Sequence, residues 1–344
     1  MTSTDGYALA RARALITVYD EMWRAKLMDT YEILDVEREF QFPLLNPATE
    51  AASRSFEEAG KIDVLARSKK NGQLVVIEHK TTSDSVAVDS DYWDRLRLDT
   101  QCSAYYLAAA QTGEDVQGIL YDAIAKPGQR PCLVPTLDAD GYKIVRDQSG
   151  MRIMTKDGKK PRETGDAAQG WTVQGEIETP LQFEERLKSV LRAAPGDYFA
   201  QREVSRMNSD LLEYMADKWA QTQQLLYARA NSLWPRNPQA CNAMGTCEMF
   251  DLCCGRASVD GVRYARKAVV HSELKIQGNS DRQLLTNSRG NAYRKCAQYH
   301  FLKYEQPTEK VQDEDENSAL RFGTLVHKGL EAYYLRLKSG QPII

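Results

Sequence analysis

The 344-residue chain contains no run of eighteen apolar residues, no internal repeat, no low-complexity tract and only four histidines. The first absence excludes a spanning helix, so no membrane partner is expected. The second excludes solenoids and propellers. The N-terminus, MTSTDGYALARARALITVYDEMW, lacks the form of a secretory signal: a polar start leads into an amphipathic helix. A cytoplasmic, reducing location is therefore expected. There, seven cysteines read as ligands or small hydrophobes rather than disulfides. Charge of one sign is also lacking. A net charge of -3 and a pI near 5.9 exert no global pull on nucleic acid, although SKK (68–70), KDGKKPR (156–162) and RYARK (263–267) could each line a groove.

What is present suits a globular α/β protein, since 42% apolar and 9% aromatic residues can fill a substantial core. Apolar residues at helical spacing predict a first helix from Gly6 to Leu27. A strand, TYEILDVEREFQFPL, follows. Then come EEAGKIDVLAR and QLVVIEHK, two strand-like runs joined by SKKNG, whose Asn-Gly is a hairpin signal. A helix is expected from Arg95 to Ala110 and a strand from Gln117 to Ile124. The polar stretch 126–179 reads as a loop-and-hairpin excursion. Helices over Pro180–Ala193 and Ser209–Leu233 precede the cysteine-rich segment. Beyond it, GNSD (278–281) reads as a connector, Thr286 or Asn287 as an N-cap, 305–317 as a charged loop, and the last helix carries His327.

The informative strand is LVVIEHK. An apolar run buried on both faces should not end in Glu-His-Lys unless those charges have partners or work. Alternation puts Glu78 and Lys80 on one face and His79 on the other. Counting back through the hairpin sets residue 63 opposite residue 77 or 78, which brings Asp63 beside Glu78. Paired carboxylates repel each other, and a hard cation such as Mg2+ or Mn2+ relieves that repulsion. A neighbouring lysine could orient or deprotonate water, or offset charge on a phosphate. A salt-bridged Asp-Lys-Glu cluster at a sheet edge fits the same spacing.

Together, GKID (60–63), EHK (78–80), QCSAY (101–105) and FGTLVH (322–327) resemble the motifs of PD-(D/E)XK nucleases of the RecB-like branch. That branch includes iron-sulfur nucleases of CRISPR adaptation, recombination helicase-nucleases and phage exonucleases. The resemblance implies a restriction-endonuclease-like core, a mixed central sheet flanked by helices, with a helical iron-sulfur lobe. It implies Asp63, Glu78 and His327 as metal ligands, with the His79 carbonyl as a further candidate. Lys80 would be the catalytic lysine, and Gln101 and Tyr105 would support the site or touch DNA. The implied activity is divalent-metal-dependent cleavage of DNA, by an exonuclease on single strands or duplex ends. The alternative is a catalytically weak binding or scaffold member of a recombination or adaptation complex. DNA is the implied partner, together with a helicase or a recombination or adaptation protein.

The stretch CNAMGTCEMFDLCC, Cys241 to Cys254, holds four cysteines, two of them adjacent. In iron-sulfur members of the branch the fourth ligand of a 4Fe-4S cluster comes from a phrase like S-x-x-x-x-Y-x-x-C. Here SRGNAYRKC ends at Cys296, so the resemblance implies Cys241, Cys247, Cys253 and Cys296 as ligands, with Cys254 as a substitute for Cys253. Zinc is the alternative metal, although five-residue gaps on both sides of Cys247 are longer than those of ordinary zinc knuckles. Cys102 and Cys132 read as buried small hydrophobes. In the family, the cysteine phrase and the histidine precede the acidic motifs; here both follow them. The expected organisation is a circular permutation: a nuclease core with three cysteines over 1–277, a connector over 278–283, and a displaced segment over 284–344 that packs into the same domain. A slice from a tandem array is the rival account.

Overall fold

A computed structural model describes residues 3–243, 245–276, 282–311 and 318–341. The GNSD connector and the acidic stretch 312–317 lie outside the described residues. Helix α1 (Ser3–Thr30) runs past both expected ends into strand β1 (Tyr31–Leu45). Strand β2 (Ala52–Ser68) pairs antiparallel with β1 on one side and, over Val64–Arg67, with β3 (Leu74–Thr82) on the other. Gly72 makes the turn between β2 and β3 possible, because its φ of 75° lies in the left-handed region that most side chains avoid. Helix α2 (Thr100–Ala110) then carries the chain to β4 (Val116–Ala125), parallel to β3. The helix expected from Arg95 begins later, because Asp99 takes an extended backbone. Its carboxylate caps the new N-terminus, accepting from Gln101 N at 2.7 Å and Cys102 N at 3.1 Å.

The polar excursion after β4 forms short two-stranded pieces, and helix α3 (Pro180–Ala193) returns the chain to β5 (Phe199–Val204), antiparallel to β4. Helix α4 (Asn208–Asn231) follows. The cysteine segment contains the single-turn helix α5 (Phe250–Cys253) and strand β6 (Tyr264–Arg266). Strand β7 (Gln283–Leu285) rejoins the main sheet, parallel to β2 at Phe56–Glu58. Helices α6 (Asn287–Lys295) and α7 (Ala297–His300), strand β8 (Thr308–Lys310) and helix α8 (Ser318–Ser339) complete the described chain. Thr286 is the N-cap of α6. The charged loop expected over 305–317 thus contains β8, which pairs with β6.

The result is the expected mixed sheet flanked by helices. Val64, Ala66, Val75, Ile77, Leu120 and Ile124 pack under α1, α3 and α8. Leu65, Leu74, Val76, Ile119, Tyr121 and Ala123 pack under α2 and α4. On α8 the buried residues Phe322, Val326, Leu330, Tyr333 and Tyr334 recur every three or four positions, so one apolar stripe fixes the helix on the sheet. Strand β2 carries the feature that matters for the site. Its edge pairs with β7 at 56–58 and with β3 from 64 onward, and Ala59 to Asp63 lie in the opening between the two partners.

Candidate active site

The opening in β2 holds the acidic pair. Val64 pairs with Ile77, so residue 63 comes opposite residue 78. The backbone ladder stops there, and the Asp63 side chain continues it by accepting the His79 N–H at 3.0 Å. Glu78 is only 1% exposed, and Lys80 Nζ lies 2.5 Å from its Oε1. Beyond that ion pair, neither carboxylate oxygen of Glu78 accepts a hydrogen bond within the protein. Burial, and next the charge of Asp63, push the Glu78 carboxyl up to about 8 despite Lys80. Each pKa unit is worth about 1.4 kcal/mol, so ionising Glu78 is a principal electrostatic cost at this strand end. Lys80 moves the same way: burial opposes its charge, but Glu78, Asp63 and Asp99 outweigh burial and hold the ammonium protonated.

Two glycines of the sequence motifs have a steric role here. A Cβ on Gly60 would lie 2.7 Å from the Phe40 ring, which stands edge-on to Tyr105. On Gly323 it would lie 3.2 Å from Thr81 Oγ1, so that glycine lets α8 approach the end of β3. This approach brings His327 Nδ1 to 3.9 Å from Asp63 Oδ2. Burial, the main influence on His327, lowers its pKa and outweighs Asp63, favouring the neutral imidazole. On the opposite face Gln101 Nε2 donates to the Tyr105 hydroxyl at 2.6 Å. Burial, with Glu78 and Asp63 adding to it, keeps Tyr105 a neutral phenol.

Asp63, Glu78, Lys80 and His327 thus gather at one end of the sheet, with Gln101 and Tyr105 beside them. His79 turns its ring the other way, towards Asp122 on β4, 3.0 Å from Nδ1. The donor set of hard carboxylate oxygens and a neutral imidazole, with a buried carboxylate left short of partners, fits Mg2+ or Mn2+. Among the described residues, however, no three His, Cys, Asp or Glu side chains converge closely enough to hold a metal as they stand.

Several residues beside the site were not read from the sequence. Arg206 is buried and braces the start of α2, donating to Leu96 O at 2.8 Å, Asp99 O at 3.0 Å and Ser103 Oγ at 2.9 Å. Glu37 has a φ of 56° and pairs with Lys61 of the GKID motif. Asp122 carried the same signal as Glu78, a charge inside an apolar strand (ILYDAIA).

Five cysteines gather around a separate cavity. Cys241, Cys247, Cys253, Cys254 and Cys296 all line one cavity of about 660 Å³, together with Arg236, Phe250 and Tyr299. The fold therefore brings Cys296 to the other four. Burial raises the Cys247 and Cys253 thiols, which disfavours bare thiolates there. Tyr293 packs edge-on against His300. Cys102 is buried as expected. Cys132 is not: it sits exposed in the excursion, where the chain leaves the sheet and no core is available to cover it.

A family model described as the PD-(D/E)XK nuclease superfamily matches residues 2–254 and 284–342. No curated protein matches the chain. The match covers most of the sequence, and the chain belongs to this superfamily, whose members are nucleases that typically use Mg2+ or Mn2+. No helix among the described residues is long and apolar enough to cross a membrane.

Proposed function

We propose that this PD-(D/E)XK protein is a DNA exonuclease of the RecB-like, iron-sulfur type, acting on single strands or duplex ends. The observation that carries the reading is the Glu78 carboxylate, buried and short of partners, with Asp63, Lys80 and His327 around it. Asp63, Glu78 and His327, with the His79 carbonyl, would hold Mg2+ or Mn2+. When bound, that ion would supply Lewis-acid stabilisation of charge on the phosphate and a more acidic water. Lys80, paired with Glu78, would orient or deprotonate the attacking water and offset charge on the phosphoryl oxygens. Tyr105, held by Gln101, would support the site from the α2 side or touch DNA. On this reading Cys241, Cys247, Cys296 and either Cys253 or Cys254 hold a 4Fe-4S cluster, or zinc in its place.

A circularly permuted order accounts for His327 and Cys296 following the acidic motifs. A helicase or a recombination or adaptation protein would supply the DNA ends.

The deciding experiment is digestion of end-labelled single- and double-stranded DNA by anaerobically purified protein with Mn2+, Mg2+ or EDTA, beside Lys80→Ala. Metal-dependent shortening that Lys80→Ala abolishes is expected, and the product ladder separates exonuclease from endonuclease. Undiminished cleavage by Lys80→Ala would sink the mechanism. A folded wild-type protein that cleaves nothing would leave a binding or scaffold role.

A further inference from the structure

Behind the acidic pair, on the opposite face of the sheet, lies a buried polar row whose placement follows from strand register. His79 on β3 pairs with Asp122 on β4, and Asp122 pairs with Gln201 on β5, so three polar side chains stand abreast across adjacent strands. His79 and Asp122 are 2% and 0% exposed. Two helices close over them. Tyr19 of α1 donates its hydroxyl proton to Asp122 Oδ2 at 2.5 Å and lies 2.8 Å from the Tyr334 hydroxyl of α8.

Proton counting fixes the direction of this chain. A tyrosine hydroxyl has one proton, and that of Tyr19 goes to Asp122, so Tyr334 must donate to Tyr19. Burial, the leading cause for both tyrosines, keeps them as neutral hydroxyls. Asp122 Oδ2 thus collects the Tyr19 proton and faces His79 Nδ1 at 3.0 Å. The Tyr334 ring also packs on the His79 ring, with centroids 5.0 Å apart.

Such a row is costly as a stability device. Asp122 Oδ1, His79 Nε2 and both polar atoms of Gln201 have no protein partner. Each buried unpaired group costs about 1–3 kcal/mol, and apolar side chains would fill the same space more cheaply. What the row achieves is placement. It ties α8, which carries His327, to the residue between Glu78 and Lys80. Tyr334 is two helical turns beyond His327 on the same face. The backbone of that tied residue is held from the other side by Asp63.

We propose that Asp122 is a positioning residue, and that the chain Tyr334–Tyr19–Asp122–His79 sets the distance between the His327 helix and the acidic pair. The inference rests on the metal-nuclease reading for what the placement serves, and its test can be read without cleavage. In Asp122→Asn the volume is kept, but Oδ2, the one oxygen that meets both Tyr19 and His79, is replaced by a weaker amide acceptor, and an amide nitrogen takes the place of Oδ1, which has no protein partner.

Four quantities should be compared in the wild type, Asp122→Asn and Tyr19→Phe: Mn2+ affinity by titration calorimetry, kcat and KM on single-stranded DNA, and thermal melting in EDTA. Asp122→Asn is expected to weaken Mn2+ binding and lower kcat by about 10- to 100-fold, the usual range for groups that orient metal ligands. KM for DNA should stay close to wild type, and Tyr19→Phe should move the same two quantities by less. If Asp122→Asn does not fold, Tyr19→Phe alone decides. Unchanged Mn2+ affinity and kcat in the folded variants, or losses that follow only the folded fraction, would overturn the proposal. A wild type that binds Mn2+ but cleaves no DNA would refute the nuclease reading, while the affinity comparison would still decide the role of Asp122. A wild type that binds no Mn2+ would overturn both.

Discussion

Asp63 accepts the backbone N–H of His79 at 3.0 Å, so one carboxylate both extends the β2–β3 ladder and forms half of the acidic pair. Its two duties can be separated by substitution.

Asp63→Asn keeps an amide oxygen for the His79 N–H. It should retain wild-type urea stability while losing cleavage by at least about a hundredfold, the scale on which one electrostatic group in an active site is felt. Asp63→Ala leaves a buried N–H unpaired and should also lose about 1–3 kcal/mol in urea melts. Equal stability losses in the two variants would mean that the hydrogen bond is not what holds the strand end.

Glu78→Gln should stabilise the metal-free protein. In the folded state Glu78 retains its proton up to about pH 8, whereas an unfolded glutamate loses it near 4.3. Between those values the folded state binds the extra proton, so the contribution of this group to wild-type stability falls as pH rises. The variant lacks that slope. Its advantage in EDTA should widen from pH 5 to pH 8, as read from denaturation midpoints at each pH.

His300 should act in the opposite sense. It is fully buried, and burial, reinforced by Arg289, lowers its pKa to about 3. Below about pH 6.5 the unfolded histidine takes a proton that the folded one refuses, so stability drops by about 1.4 kcal/mol per pH unit from this group as pH falls towards 3. Urea melts at pH 6.5 and 5 should show a steeper loss for wild type than for His300→Gln.

Cys296→Ala should lose the metal of the cysteine cavity, read as iron per chain and visible absorbance after anaerobic purification. Cys254→Ala should lose it only if Cys254, and not Cys253, is the ligand. Full iron in Cys296→Ala would show that the cavity does not work as proposed.

Much of this architecture was legible locally. The Asn-Gly turn and the apolar LVVI run specify the β2–β3 hairpin, and alternation alone sends Glu78 and His79 to opposite faces. The N-cap at Asp99 was missed because the leucines at 96 and 98 extend the helical pattern through it. Strand β7 has three residues and owes its existence to pairing with a distant partner, so no local periodicity could reveal it. Asp122 shows the same limit: its charge in an apolar strand was visible, but its hydrogen-bond partners, Tyr19 and His79, come from two other elements.

The return of β7 and α8 to the sheet also has a consequence for how the protein is made. The opening of β2 is bounded by a strand from near the other end of the chain, and the site histidine rides on a helix later still. Contacts this distant in sequence form slowly. A ribosome that has released the whole acidic motif must still deliver most of the polypeptide before the cleft can close. Folding of the sheet is therefore completed after its first strands have left the exit tunnel, not progressively as they emerge, and the nascent β2 edge is the surface most in need of shielding in the interval.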